Sequence, residues 1–476
     1  MAENRKVLLQ LKDVKMHFPI KKEHVLQKEQ LSVRAVDGVS IDIYQGETLG
    51  LVGESGCGKS TLGRCVLNLY TPTHGKIYYF GVTLDDYAPQ YAKKIIQKIS
   101  SISDTSVDKL LSKHMDEVTL AGGLLLCGDL HKLSQKLMKH YQICAKLHEA
   151  KEALVIHKFH LAGQEEGQIS DKDRERLRKL EANVAVCTKQ MEEDKPVLDE
   201  IRKSAAGKPG FDELEEHHTI GIDLSQLTAE EMRRLRRYLQ IVFQDPYSSL
   251  NPRLTVGNLI SEALVAHELL PKGSEALEKY TLKVMDDSGL QKYMLHRYPH
   301  QFSGGQRQRI GIARALALNP SFVVCDEAVS ALDVSIQSQI INLLMDLKDK
   351  NQLTYLFISH DLSTVKFISD RVGVMYLGNI IELGNSQDIY DEPLHPYTEA
   401  LLEAIPTTEE SSKKELQVIE GDIPSPIRPP SGCKFHTRCP YATERCTTEV
   451  PAWRELKPQH YVACHYPLLN KRKVET

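Results

Sequence analysis

Between an apolar run and a helical stretch the chain reads Gly53-Glu54-Ser55-Gly56-Cys57-Gly58-Lys59-Ser60-Thr61, and no other segment restricts the fold as tightly. The form GxxxxGKS suits a loop that wraps a phosphate. Gly53, Gly56 and Gly58 let successive backbone N–H groups turn inward, Lys59 reaches the β and γ phosphates, and Ser60 offers its hydroxyl to magnesium. Such a loop needs a strand before it and a helix after it. Ala35 to Gly53 alternates apolar and polar positions and ends in Thr48-Leu49-Gly50-Leu51-Val52, which predicts a buried strand, and Lys59 to Leu69 predicts the helix. A glycine turn with no ligand is the competing reading of the loop alone.

A second apolar run, Phe322 to Cys325, ends in Asp326 and Glu327. Open α/β sheets place ligands at the carboxyl ends of their strands, so both carboxylates emerge where a nucleotide would lie. Asp326 can hold magnesium through water, and Glu327 can polarise an attacking water as general base. Further strands are predicted at Gly75 to Phe80, Leu239 to Phe243 and Thr354 to Ile358, with helical sequence between them. That alternation predicts an α/β fold, a mostly parallel sheet with helices on its faces, of the P-loop NTPase class. Thr228 with Glu231 predicts a capping box on a short basic helix.

With 476 residues, the chain has room for one large α/β domain and additions. A formal net charge of −4 gives no global positive field for nucleic acid. Met1 to Asp13 lacks the apolar core of a signal peptide, and no apolar run approaches the roughly 18 to 20 residues that span a bilayer. The expectation is a cytosolic chain whose membrane role, if any, comes through partner subunits.

Four segments are expected. Residues 1–82 form the first part of a nucleotide-binding domain and 83–220 a helical insertion. Residues 221–405 complete the domain, and 406–476 are a linker and a cysteine-rich region. In the insertion, Leu130, Leu133, Leu137, Tyr141, Cys144 and Leu147 form one stripe. Leu177, Leu180, Val184, Cys187, Met191, Leu198 and Ile201 form another, interrupted only around Asp194 and Pro196. Joined by the polar segment Gly163 to Ser170, the two predict an antiparallel helical hairpin, read either as a surface appendage without chemistry or as a partner-binding arm.

Ser303-Gly304-Gly305-Gln306, followed by helical spacing from Arg307 to Leu316, gives the sequence its close resemblance to the ABC ATPase family. The resemblance covers about Leu9 to Gly81 and Ile222 to Pro406. It implies that the Ser303 turn opens a helix facing the γ-phosphate bound by an opposite subunit. Gln244 resembles the family's Q-loop residue, which touches magnesium and senses membrane subunits. Ser330-Ala331-Leu332-Asp333 resembles the D-loop, and His360 the switch histidine that contacts γ-phosphate. Phe18 resembles the aromatic that stacks on adenine, although Ile20 to Val33 is a long separation from the next strand. Phe302 and Ala328 depart from the commonest pattern, where Leu and Pro stand; neither replaces a phosphate-contacting group. The implied ligands are ATP and magnesium, the latter held by Ser60 and Gln244. One signature and one P-loop on a chain imply a dimer, because each site needs both.

Two longer matches, Gln244 to Arg253 and Gly432-Cys433-Lys434-Phe435-His436-Thr437-Arg438-Cys439-Pro440, resemble bacterial oligopeptide and dipeptide importer ATPases, as does Leu394-His395-Pro396-Tyr397-Thr398. The resemblance implies pairing with a second related ABC ATPase under two transmembrane permeases, fed by an extracytoplasmic solute-binding protein, at the cytoplasmic face of the membrane. Phe18-Pro19-Ile20 favours the second ATPase of such a pair. Nickel or another small solute, and a soluble ABC-type ATPase acting on nucleic acid or ribosomes, are the alternatives. Cys433, Cys439, Cys446 and Cys464 are spaced C-x5-C-x6-C-x17-C and can supply a thiolate tetrad to zinc or an iron–sulfur cluster; the resemblance implies a 4Fe-4S cluster. The length of 83–220 departs from the family, where a short connection stands.

Overall fold

A computed structural model of the chain describes residues 5–21, 30–162, 169–404 and 421–469. The chain divides into two compact units. One comprises Met1–Ile77, Arg236–Ile260 and Val284–Thr476; the other comprises Tyr78–Leu235 and Ser261–Lys283.

The first unit is built on an eight-stranded sheet. Its strand order is Arg454–Lys457, His460–Val462, Asn379–Asn385, Arg371–Tyr376, Thr48–Val52, Thr354–Ile358, Phe322–Asp326 and Leu239–Val242. From Arg371–Tyr376 to Leu239–Val242 the strands run parallel. Thr48–Val52, Phe322–Asp326 and Thr354–Ile358 are buried at every position, which is why they read as uninterrupted apolar runs. Register pairs Val242 with Cys325 and Asp326 with Ile358. Gly53, Glu327, Ser359 and Gln244 therefore leave the sheet along one edge. The family expectation of an α/β P-loop cassette holds.

The run from Ala35 to Gly53 is two strands rather than one. The alternating part belongs to Ser32–Tyr44, paired antiparallel with Val7–Pro19, and the apolar part is Thr48–Val52. Between them the chain turns at Gly46, at φ +76°, a conformation glycine adopts without steric penalty.

The C-terminal residues pack into this unit's core. Phe435 is 2% exposed, with its ring centroid 5.3 Å from those of Tyr376 and Tyr397. Lys434 donates to Asp37 Oδ2 and to the Leu377 carbonyl, each at 2.9 Å.

In the second unit the helices Leu130–Leu161 and Asp171–Ala205 pack antiparallel. His140 meets Asp194 near one end of the pair and His157 meets the Asp173 carbonyl near the other. Leu147, Ala150, Val184, Cys187 and Met191 fill the space between. The expected joint at Gly163–Ser170 lies largely outside the described residues. The second helix continues through Pro196, and Asp194, which interrupts the apolar stripe, is 7% exposed and ion-paired. The Asp194 carboxylate is tolerated on the packed face because Lys139 and His140 partner it. The capping box at Thr228 and Glu231 forms in both directions. Among the described residues no helix is long and apolar enough to cross a membrane.

Phe435→Ala should lower stability by about 3–5 kcal/mol, read as a fall in the urea midpoint. A change within about 0.5 kcal/mol, the range of ordinary surface substitutions, would mean that the C-terminal segment is not part of the core.

Candidate functional site

The glycine-rich loop follows the buried strand Thr48–Val52 and opens the helix Lys59–Val66. Its glycines are required by space as well as by angle. At Gly53, φ +147°, a Cβ would lie 2.2 Å from the Met375 carbonyl oxygen, and at Gly58, φ +107°, 2.0 Å from that of Ala35. Gly56, at φ +80°, has open space beside it. Lys59 is 4% exposed and arches back over the loop, its Nζ donating to the carbonyls of Gly53 at 2.7 Å and Glu54 at 3.0 Å. Ser55 and Gly56 are exposed, and Ser60 and Thr61 half-buried. This is a cradle lined by backbone and one buried cation, which suits an anion of phosphate size.

Ser60 Oγ donates to Asp326 Oδ1 at 2.6 Å. Burial raises the Asp326 pKa, while Ser60 and Arg64, whose Nη2 lies 3.9 Å away, oppose that rise. A serine hydroxyl beside a carboxylate is a hard-oxygen donor set, and it fits magnesium. Glu327, next along, is turned out of the strand by a φ of +48°. Its Oε2 accepts from Gln244 Nε2 at 2.8 Å and lies 3.3 Å from His360 Nδ1. Three residues proposed for the chemistry thus meet at one carboxylate, although Gln244, Glu327 and His360 lie on three separate segments.

Ser303 caps the helix Gly304–Leu316. Its side chain accepts from the Gln306 amide at 3.4 Å, and Gln306 Oε1 accepts from the Ser303 amide at 3.1 Å. Gly305 is needed for packing, since a Cβ there would lie 2.4 Å from Ile336 Cγ2. Phe302, which departs from the family pattern, is buried, as is Ala328. Among the described residues no hydrogen bond or ion pair joins the Ser303–Gln306 turn to the Gly53–Thr61 loop. Asp333 begins the helix Val334–Asn351 and is exposed. Phe18 is half-buried with its ring edge-on to Tyr70, 5.5 Å between centroids.

Several supporting residues escape a reading of the motifs. Arg438 clamps Glu54 of the loop through two bonds, at 2.7 and 2.9 Å, and Glu54 N donates to Tyr397 Oη at 2.9 Å. The pairing with Glu54 pushes the Arg438 pKa up. Arg307 on the Ser303-capped helix lies 3.7 Å over the Tyr247 ring, and Arg314 donates to the Ser249 carbonyl at 2.6 Å. These contacts hold the segment after Gln244 to that helix. Arg438 and Tyr397 sit inside segments that the sequence marks as subfamily features, but nothing local in either predicts contact with the loop.

The four C-terminal cysteines line one small cavity. Cys433 N donates to the Cys446 carbonyl at 2.8 Å, bringing two of them together. Burial pushes the thiols of Cys439 and Cys464 up to about 12. Among the described residues, no three of these sulfurs all lie within 4.8 Å of one another.

The ABC transporter family profile matches residues 36–185 and 211–330, and that of the oligopeptide/dipeptide transporter C-terminal region matches 381–446. The oligopeptide transport ATP-binding protein AppF of Bacillus subtilis (strain 168) is 37% identical over 468 residues, covering 98% of each chain. The oligopeptide transport ATP-binding protein OppF of Salmonella typhimurium (strain LT2) is 34% identical over 468 residues, covering 98% of this chain and 97% of that protein. A putative peptide import ATP-binding protein of Brucella ovis is 54% identical over 244 residues, 51% of this chain and 76% of that protein.

Arg438→Ala should weaken binding of a fluorescent ATP analogue about tenfold, or ~1.4 kcal/mol. Arg438→Lys should recover only part of the loss, because one ammonium cannot reproduce a paired guanidinium–carboxylate contact. Equal affinity in all three proteins would mean that the clamp on Glu54 does not shape the loop.

Proposed function

Because this chain belongs to the ABC transporter family, in its oligopeptide-transporting branch, we propose that its site is one half of a two-subunit ATPase driving peptide uptake. It is the ATP-hydrolysing subunit of an oligopeptide importer. The observation that carries the mechanism is the meeting of Gln244 and His360 at Glu327, beside the bonded pair Ser60 and Asp326.

In this reading Lys59 neutralises the β and γ phosphates of ATP, and the backbone amides from Gly53 to Thr61 encircle them. Ser60, Gln244 and Asp326 would hold magnesium. The metal, when bound, neutralises charge on the transferring phosphoryl group. Glu327 takes a proton from the attacking water at Oε2, the atom that Gln244 and His360 already address, and His360 contacts the γ-phosphate. Phe18 stacks on adenine. Ser303, Gly304, Gly305 and Gln306 present the positive end of a 13-residue helix to the nucleotide of a companion subunit, with Asp333 lying at the same junction.

The companion is a second related ABC ATPase, so that the working pair is a heterodimer beneath two transmembrane permeases at the cytoplasmic face of the cell membrane. An extracytoplasmic solute-binding protein delivers the peptide, and no nucleic acid is involved. For the cysteines, a 4Fe-4S cluster is favoured over zinc. Four thiols around one cavity supply the donors. The spacing lacks the close C-x2-C pairs of a zinc ribbon, which counts against zinc. The cluster's role would be structural, holding the segment that carries Arg438.

Glu327→Gln should leave the Kd for ATP within about threefold and lower turnover by about 10²–10⁴, the usual contribution of a general base. Unchanged hydrolysis would remove Glu327 from that role. A tagged chain purified from gently solubilised membranes should carry permeases and a second ATPase; recovery with ribosomes or nucleic acid instead would overturn the transport assignment.

A further inference from the structure

The long helix Leu130–Leu161 of the second unit carries His140 and Cys144 one turn apart, so both project from one face. Asp85, on the short helix Leu84–Tyr87, comes to the same place. One carboxylate oxygen of Asp85, one ring nitrogen of His140 and the Cys144 sulfur all lie within 4.8 Å of one another. His140 is 8% exposed and Cys144 1%. Neither the nucleotide site nor the cysteine-rich segment uses any of the three.

We propose that Asp85, His140 and Cys144 form a zinc site with three protein ligands and an open fourth position. The donor set of one carboxylate oxygen, one imidazole nitrogen and one thiolate is among those zinc takes, and three protein ligands with a free position is the arrangement of open zinc sites. Ligands bound at about 2.0–2.3 Å in a tetrahedron stand roughly 3–4 Å apart, so the observed grouping needs only small side-chain adjustment.

Two further features belong to a built site. His140 Nε2 faces Asp85 Oδ1 at 3.2 Å, while Nδ1 faces Asp194 Oδ2 at 3.1 Å. A ligating imidazole commonly donates its other N–H to a carboxylate, which fixes its tautomer and orientation. Asp194 stands in that position, itself held by Lys139 at 2.7 Å. Second, Asp85, His140 and Cys144 line a cavity of about 440 Å³ that also borders Lys195 and His218. It supplies an entry path and space for the fourth ligand. Lys195 lies 3.1 Å from Asp85 Oδ2 and leaves Oδ1 for the metal. Zinc binding displaces protons from Cys144 Sγ and His140 Nε2 to solvent. The competing arrangement is a buried ion-pair cluster with His140 as the cation. Burial disfavours its charge, but Asp85 and Cys144 outweigh that and bring its pKa up to about 10.

The test is a cobalt titration, Co2+ serving as the visible stand-in for zinc, on full-length chain previously stripped with a chelator. Wild type, Cys144→Ala and Asp194→Asn are compared. The C-terminal thiols contribute equally to all three and cancel in difference spectra. Wild type should show one equivalent more of tetrahedral, thiolate-bound cobalt than Cys144→Ala, as extra charge-transfer and d–d absorbance. Asp194→Asn should keep that band and bind about 10–100-fold more weakly. Cys144→Ser, which keeps the side-chain volume, provides the same comparison if the alanine variant folds poorly. Identical stoichiometry and spectra in wild type and the Cys144 variants would overturn the site and leave the ion-pair cluster.

Discussion

The hydrogen bond from Ser60 to Asp326 is the contact on which the nucleotide site depends. It joins residues 266 apart in sequence and fixes the glycine-rich loop against the strand that ends in two carboxylates. It can form because Phe322–Asp326 pairs with Thr354–Ile358, which pairs with Thr48–Val52, all in parallel. Parallel pairing puts the carboxyl ends of those strands at one edge. Burial of Asp326 opposes its ionisation, and the Ser60 hydroxyl and Arg64 answer that opposition. The positive φ of Glu327 then turns the next carboxylate toward Gln244 and His360. Strained backbone of this kind persists only where its surroundings over-determine it.

The same loop is held from its other side by the C-terminal segment. Arg438 is 5% exposed at its side chain and Glu54 21%, so their two bonds are partly shielded from water. A charge pair so placed is sensitive to loss of either partner. Phe435, three residues earlier, anchors the segment between Tyr376 and Tyr397, while Tyr397 also accepts from the Glu54 amide. Cys433 and Cys439 flank this anchor and pack against the main core. Any group bound by the four cysteines would therefore stiffen a segment that touches the phosphate loop, which gives the cysteines a physical route to the nucleotide site without any electron transfer.

Much of this was legible in the sequence because it is written locally. Uninterrupted apolar runs marked the strands buried on both faces, and Thr354–Ile358 has the bounds expected. Thr228 with Glu231 sits at capping-box spacing and caps its helix. The P-loop and the Asp326-Glu327 pair fall where open sheets bind ligands. What was not legible depends on distant pairing. The run from Ala35 to Gly53 gave no sign that one turn at Gly46 sends its halves into different strand partnerships. Nothing near Arg438 points to Glu54, 384 residues away, and nothing near Asp85 points to His140, 55 residues away. Asp194 interrupts the apolar stripe of its helix, and periodicity alone does not show that its partners Lys139 and His140 lie on the opposing helix.

Manganese is a paramagnetic substitute for magnesium, and pulsed electron paramagnetic resonance of a Mn2+–ATP complex bound to the full-length chain examines the Ser60–Asp326 seat directly. Wild type should bind manganese with phosphorus couplings from the nucleotide, and both Ser60→Ala and Asp326→Asn should lose or strongly weaken that bound species. Bound manganese with the same couplings and affinity in both variants would contradict the placement of the metal and nucleotide between the loop and the carboxylate strand.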